Sequence, residues 1–152
     1  ATLFFVREEI HMSYRTVLAL NFDAERLRLL KHVSLISKAA VRAVTEEEKD
    51  ETVGELLGLS EDEIKEIAAL AQESEEGVAI PEDAKPVTKE AIVLCGFDRS
   101  AAGELLEAIK RGKLKHVPLK AMLTPNNISW TLRTVLYELN EEHEQFKKMG
   151  SK

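Results

Sequence analysis

Two similar stretches, VLALNFD at residues 17–23 and IVLCGFD at residues 92–98, set the expected architecture of this sequence. Each is an apolar run that closes with phenylalanine and aspartate. A short apolar run with β-branched residues is typical of a buried strand. An aspartate directly after the strand can accept a hydrogen bond from the first turn of a helix. The sequence therefore predicts two strand-to-helix units.

Both stretches are followed by the same order of elements. In the first half, helical spacing of apolar residues continues to about residue 37, and AAVRAV (39–44) and TEEEKDETVGELLG (45–58) predict a strand and a helix. In the second half, the corresponding segments are a helix, a strand and a long helix at residues 99–111, 117–123 and 124–148. Each half has the order β-α-β-α, which favours an internal duplication. The alternative is that two ordinary βαβα units look alike because their periodicities are alike.

The predicted fold class is therefore α/β. Two βαβα halves most simply form one four- to five-stranded sheet with helices packed on it, related by a pseudo-twofold axis, so that the sheet is mixed at its middle. A ferredoxin-like α+β order is the alternative. The expected segments are a leader that is not native, a first half, an inserted helix with a connector and a second half, in one compact domain: residues 1–11, 12–59, 60–90 and 91–152. The leader is inferred because REEIHM (7–12) would be encoded by a purine-rich stretch before the Met12 codon, which looks like a ribosome-binding site translated in frame.

Composition excludes several classes of protein. The chain has 21 basic and 27 acidic side chains and no evident basic stripe, which argues against a nucleic-acid surface. No apolar run is long enough to span a bilayer, so no membrane association is expected. A single cysteine, Cys95, excludes an internal disulfide and fits a cytoplasmic location.

The sequence contains no recognisable catalytic set. Cys95 lies inside an apolar strand, where a thiol is expected to be a buried core group rather than a nucleophile. The four histidines are scattered at no metal-ligand spacing. We therefore expect no metal site, no cofactor and no catalytic residues.

The stretch LKAMLTPNNISW (119–130) is the strongest candidate for a functional site. A proline after Thr124 predicts the start of a helix there, and the free N–H groups of a helix N-terminus attract anions. Structural capping of that helix is the favoured interpretation. The alternative is a small anionic ligand bound by Lys120, Thr124, Asn126, Asn127 and Trp130.

Two aromatic residues indicate a second covered surface on the long helix. Trp130 and Tyr137 are one heptad apart and lie on the side opposite its main apolar stripe. Such a surface is covered either within the chain or by a second subunit. Trp130 and Tyr137 are therefore the candidates for a subunit interface.

The segments IVLCGF, PLKAMLTPNNISWTL and LYELNEEH together resemble a bacterial and archaeal family known only as a domain of unknown function, family 3783. The resemblance covers about residues 91–146, and its most specific part lies between Lys120 and Trp130. It implies a fold unit and a shared motif, but no activity, substrate or cofactor. The first half keeps Thr45, whereas Glu48 and Glu51 stand in place of Asn127 and Trp130.

The predicted function is a non-enzymatic interaction or regulatory module that self-associates, most simply as a dimer. The alternative is a small-ligand or anion-binding protein that uses the junction between Thr124 and Trp130.

Overall fold

The computed structural model describes residues 3–6, 9–12, 15–71 and 79–150, and side chains from residue 15 to residue 149 within these ranges. Within them, a 3₁₀ turn at Leu35–Ser37 follows α1 and another at Glu47–Asp50 precedes α2. The strands and helices in chain order are β1 (Leu3–Val6), β2 (Glu9–Met12), β3 (Arg15–Leu20), α1 (Ala24–Ser34), β4 (Ala39–Val44), α2 (Val53–Leu56), α3 (Glu61–Ala68), β5 (Ala91–Cys95), α4 (Arg99–Arg111), β6 (Leu119–Met122) and α5 (Leu132–Gly150).

The main sheet has four strands in the order β4-β3-β5-β6. The outer pairs β3–β4 and β5–β6 are parallel, whereas the central pair β3–β5 is antiparallel. This arrangement confirms the predicted α/β fold and the change of direction at the middle of the sheet. The ferredoxin-like alternative is wrong, because each helix joins neighbouring strands here, whereas a split βαβ unit places another strand between them. The duplication itself stays a prediction.

The sheet is covered on both faces, because β5 and the last four residues of β3 are apolar on both sides of the sheet. In β3, Val17 and Ala19 face the core formed with α1 and α4, and Leu18 and Leu20 face the core formed with α2, α3 and α5. All five residues of β5 are buried. This pattern is the one expected of a strand with helices on both sides. The strands β1 and β2 form a separate antiparallel two-stranded sheet, and the origin of residues 1–11 stays a prediction.

Aspartates after the central strands begin the two crossover helices, as the sequence predicts. The Asp23 carboxylate accepts a hydrogen bond from the Arg26 N–H at 2.8 Å, and the Asp98 carboxylate accepts one from the Ala101 N–H at 2.7 Å. The predicted capping box of the inserted helix is also present, between Ser60 and Glu63.

The two helices predicted at residues 45–58 and from Thr124 onwards are wrong at their beginnings. In the first, the 3₁₀ turn ends at Asp50, the backbone of Glu51 is extended, and α2 begins only at Val53. In the second, residues 125–129 form turns, and α5 begins at Leu132.

Pairing of the two chain segments explains these interruptions. Thr52 and Thr131 form an antiparallel bridge, with main-chain hydrogen bonds of 3.0 Å from Val53 N to Trp130 O and from Leu132 N to Glu51 O. In an unbroken helix, these N–H and C=O groups would form hydrogen bonds within the helix and could not pair with the other segment. The start of α2 and the start of α5 are thus tied to each other.

Gly54 lies next to this junction and leaves room for a side chain of α3. Its N–H donates to Ile128 O at 2.9 Å, and a Cβ at this position would lie 2.6 Å from Cγ1 and 2.8 Å from Cδ1 of Ile64. We predict that Gly54→Ala lowers the free energy of unfolding by about 1–3 kcal/mol, because the core between α2 and α3 has to shift. Urea unfolding followed by circular dichroism measures this change.

Gly103→Ala is the matched control, because a Cβ on this exposed position of α4 would meet no atom within 4 Å. A gain of about 0.5–1 kcal/mol is expected there from helix propensity. Equal stability of the two variants would contradict the close approach at Gly54.

Candidate functional site

The junction between β6 and α5 is closed by its own side chains. The Asn127 Oδ1 accepts a hydrogen bond from the Thr124 N–H at 2.9 Å, and the Thr124 hydroxyl accepts one from the Asn127 N–H at 3.2 Å. The Asn127 Nδ2 donates to the Met122 carbonyl at 3.0 Å. This reciprocal pair satisfies main-chain groups in the manner of a capping box, although it closes a turn and not a helix. Asn127 therefore fixes how the chain leaves β6.

The junction after β4 has the same geometry. The Glu48 carboxylate accepts a hydrogen bond from the Thr45 N–H at 3.0 Å, and the Thr45 hydroxyl accepts one from the Glu48 N–H at 3.2 Å. These two hydrogen bonds correspond to those between Thr124 and Asn127, with a carboxylate oxygen in place of the amide oxygen. The difference lies in the second oxygen of Glu48, which pairs with Arg42 Nη2 at 2.6 Å. The Thr45 N–H, and then the charge of Arg42, hold the pKa of Glu48 below its ordinary value.

The remaining predicted ligand residues lie around this turn. Lys120 is exposed, and its Nζ donates to the Val117 carbonyl at 2.9 Å. Asn126 is half-buried, and Trp130 is half-buried against the core cluster on the α5 side of the sheet. In the structure, Thr124 and Asn127 are hydrogen-bonded to each other, whereas Lys120 contacts the loop that precedes β6. Ligand binding by this set stays a prediction.

The two interface candidates occupy different surroundings. Trp130 packs within the chain, whereas Tyr137 is half-buried on α5, and its hydroxyl donates to Glu141 at 3.4 Å. Partial removal of Tyr137 from water, and then the neighbouring Glu141 carboxylate, raise the pKa of this phenol. A role of either residue in a subunit interface stays a prediction.

A buried lysine of the first half, Lys49, lies close to α5, although its sequence neighbours indicate an exposed side chain. Only 7% of the Lys49 side chain is exposed, and its Nζ donates to Asn21 Oδ1 at 2.7 Å and to Glu46 Oε2 at 2.6 Å. Asn21 has a left-handed backbone with φ 66°, and its Nδ2 donates to the carbonyls of Val87 and Lys89. In the sequence, Lys49 stands among glutamates and aspartates, a pattern typical of an exposed surface.

Arg133 extends this network onto α5. Its guanidinium contacts Asp50 at 2.5 Å and Glu46 at 3.2 Å, and it also donates to the Glu46 carbonyl at 3.0 Å. The hydrogen bonds from Lys49 and Arg133 lower the pKa of Glu46. A cavity of about 180 Å³ borders this network and Tyr137. Each cation here contacts a carboxylate, and the contacts of Arg133 join α5 to the first half.

The chemistry available within the described residues is limited. Cys95 is fully buried, and burial raises the pKa of its thiol, which therefore stays protonated and unreactive. Across residues 3–6, 9–12, 15–71 and 79–150, no three His, Cys, Asp or Glu side chains are grouped so that they could hold a metal ion. Within the same ranges, no helix has the length and apolar character needed to cross a bilayer.

The matched turns at Thr45 and Thr124 lie in two units of the same element order, and the second unit is the one that carries Asn127 and Trp130. Residues 90–146 match the domain of unknown function DUF3783. The match covers β5, α4, β6 and most of α5, so the predicted resemblance is confirmed over the second βαβα unit. No curated protein and no solved structure matches the chain.

The role of Asn127 in the turn after β6 can be tested by two substitutions. We predict that Asn127→Ala lowers the free energy of unfolding by about 1–3 kcal/mol, because it leaves the Thr124 N–H and the Met122 carbonyl without their partner. Asn127→Asp is also destabilising, because a carboxylate cannot donate to the Met122 carbonyl. Urea unfolding measures both. Wild-type stability of Asn127→Ala would contradict the structural role.

Acid unfolding tests the carboxylate caps. The pKa values of Glu48, Glu55 and Glu63 are lowered, first of all because each carboxylate accepts a backbone N–H. A carboxyl group with a lowered pKa in the folded state contributes stability above its unfolded pKa of about 4.3, and this contribution is lost as the pH falls through the folded pKa. Glu63→Gln keeps an acceptor but does not titrate, so its stability falls less steeply below pH 5. Parallel curves for variant and wild type would contradict this origin.

Proposed function

We propose that the protein is a non-enzymatic interaction module of the cytoplasm that self-associates as a dimer through the C-terminal end of α5. The observation that carries the proposal is an exposed apolar surface on this helix. Phe146 is 74% exposed and Met149 is 73% exposed. We define these two residues as the α5 tip.

The α5 tip continues the buried stripe of the helix. Leu132, Leu136 and Leu139 pack against the core at spacings of three and four residues, and Phe146 follows Leu139 after two turns. The same face of one helix is therefore covered at its beginning and open at its end. Covering an aromatic and a methionine side chain in a partner contributes about 1.5–3 kcal/mol each.

The order of charges around the α5 tip favours a second copy of this chain as the partner. Glu141 and Glu142 precede Phe146, and Lys147 follows it. If two such helices cross antiparallel at Phe146, the acidic part of each lies beside the basic part of the other. The same patch then serves both subunits, as a twofold interface requires. A parallel arrangement would place like charges together.

Absence of catalysis is supported by the surroundings of the reactive side chains. The Cys95 thiol is buried, and the polar groups of Thr124 and Asn127 close their own turn. A cytoplasmic location fits a chain with a single cysteine.

Light scattering after size exclusion tests self-association directly. At tens of micromolar, we expect a species of twice the chain mass of 17.0 kDa. The double variant Phe146→Ser with Met149→Ser is expected to elute as a monomer with unchanged circular dichroism. The control is Leu35→Ser with Ile36→Ser, which removes two equally exposed apolar side chains next to α1. A monomeric wild-type protein would overturn the proposal.

A charge exchange tests the antiparallel arrangement. Glu142→Lys and Lys147→Glu each place like charges together and weaken the dimer. Combining them in one chain restores opposite charges and recovers the dimer. An additive loss in the double variant would contradict the antiparallel contact.

A further inference from the structure

A groove of about 500 Å³ lies between α1 and α4, on the face of the sheet opposite α5. Its walls carry the aliphatic side chains of Leu29, Val33, Ile36, Ala108, Ile109 and Leu114. Four of these, Leu29, Val33, Ile109 and Leu114, also belong to the core beneath the groove. Ile36 stands at the groove with 68% of its surface exposed, next to Leu35 with 69%. The volume is in the range of small-ligand pockets, about 300–1,000 Å³.

The ionisable side chains that line this groove are all basic. Arg28 and His32 come from α1, and Lys113 comes from the loop after α4. The surrounding segments are also basic. Residues 24–38 contain four Lys or Arg and one Glu, and residues 99–116 contain five Lys or Arg and two Glu. Together these segments have a net charge of +6. The capping residues Asp23 and Asp98 and the Glu90 partner of Arg26 reduce it to +3, in a chain whose net charge is −6. The fold thus concentrates positive charge on one face of an acidic protein.

Glu25 shows which group these cations hold. Its carboxylate contacts Arg28 at 2.5 Å, and the hydrogen bond from Arg28, followed by the charges of Arg28 and Lys113, lowers its pKa. Both side chains of the pair are about two-thirds exposed, so the contact is weak and open to exchange. A carboxylate or phosphate from a ligand could take the same place.

An apolar cleft with an anion-holding rim restricts the class of occupant. Aliphatic walls favour an alkyl chain over a nucleic acid, which binds to basic grooves lined by aromatic side chains. A cationic head group would be repelled by Arg28 and Lys113. A ligand with a hydrophobic chain and an anionic head group can pack against the aliphatic walls and also pair with the basic residues at the rim.

We propose that the α1–α4 groove binds a single-chain anionic amphiphile, with its chain between Val33 and Ile109 and its head group at Arg28 and Lys113. This proposal is independent of the α5 tip, which lies on the other layer of the fold. The ligand class is a carboxylate or phosphate with a long alkyl chain.

Isothermal titration with sodium dodecanoate, below its micelle concentration and at low salt, tests the proposal. Dodecanoate and dodecyl phosphate are expected to bind. Hexanoate should bind at least about a hundredfold more weakly because it has six fewer methylene groups. Dodecyltrimethylammonium, which has the same chain length and the opposite charge, should bind at least about tenfold more weakly than dodecanoate. Equal binding of the cationic and anionic compounds would overturn the role of the rim.

Four variants locate the site. Lys113→Glu should weaken dodecanoate binding about tenfold, whereas Glu25→Gln should strengthen it about threefold because Arg28 is released. Ala108→Trp should abolish binding by filling the groove, with circular dichroism as the check on folding. Lys85→Glu is the control, because it makes the same charge change at an exposed position outside the groove.

Two results would overturn the proposal even if the wild-type protein binds dodecanoate. One is an equal effect of Lys113→Glu and Lys85→Glu, which would indicate attraction by overall charge. The other is unchanged binding by a folded Ala108→Trp variant. Binding to phosphatidylglycerol vesicles without binding to monomeric dodecanoate would also overturn it and would indicate a membrane-surface contact.

Discussion

The antiparallel pairing of β3 with β5 is the contact on which the rest of the structure depends. These two strands form the middle of the sheet, and all of β5 and five of the six residues of β3 are buried. Each strand leads into its own crossover helix and then into a parallel outer strand. The two units run in opposite directions in the sheet. They are therefore related by an approximate twofold axis that is perpendicular to the sheet. Crossovers of the same hand then place α1 and α4 on one face, as observed.

Both unusual features of the molecule follow from this rotation. On one face, α1 and α4 meet and leave the aliphatic groove between them. On the other face, the segments before α2 and α5 meet at Thr52 and Thr131 and exchange main-chain hydrogen bonds. The second contact interrupts two helices, yet the exposed N–H and C=O groups are satisfied across the junction. Gly54 lies beside this junction, where a Cβ would clash with Ile64 of α3 and would lie 3.2 Å from Ile128 O.

The strands, the crossover helices and their caps could be predicted because their signals are local. An apolar run followed by Phe and Asp indicates a strand and a helix start, and the Asp23 and Asp98 caps confirm it. The resemblance of the second half to the domain family could also be predicted from the sequence, because its most specific motif is contiguous between Lys120 and Trp130.

Features made by pairing between the halves could not be predicted in this way. The helix beginnings at Val53 and Leu132 depend on a bridge between residues far apart in sequence. Lys49 looks exposed among acidic neighbours, and only the approach of Asn21 and α5 buries it. The basic face was hidden for the same reason, since two moderately basic segments become one surface only when α1 lies beside α4.

The register of the central pair can be measured with the native cysteine. Thr16 lies directly opposite Cys95 across β3 and β5, so the two side chains share a face at a separation that a disulfide can span. After oxidative refolding, Thr16→Cys is predicted to have no free thiol, and its disulfide-linked form should retain the native circular dichroism spectrum. Val17→Cys, whose side chain points to the opposite face, should retain two free thiols. A reduced Thr16→Cys variant, or a disulfide in Val17→Cys, would contradict the central pairing.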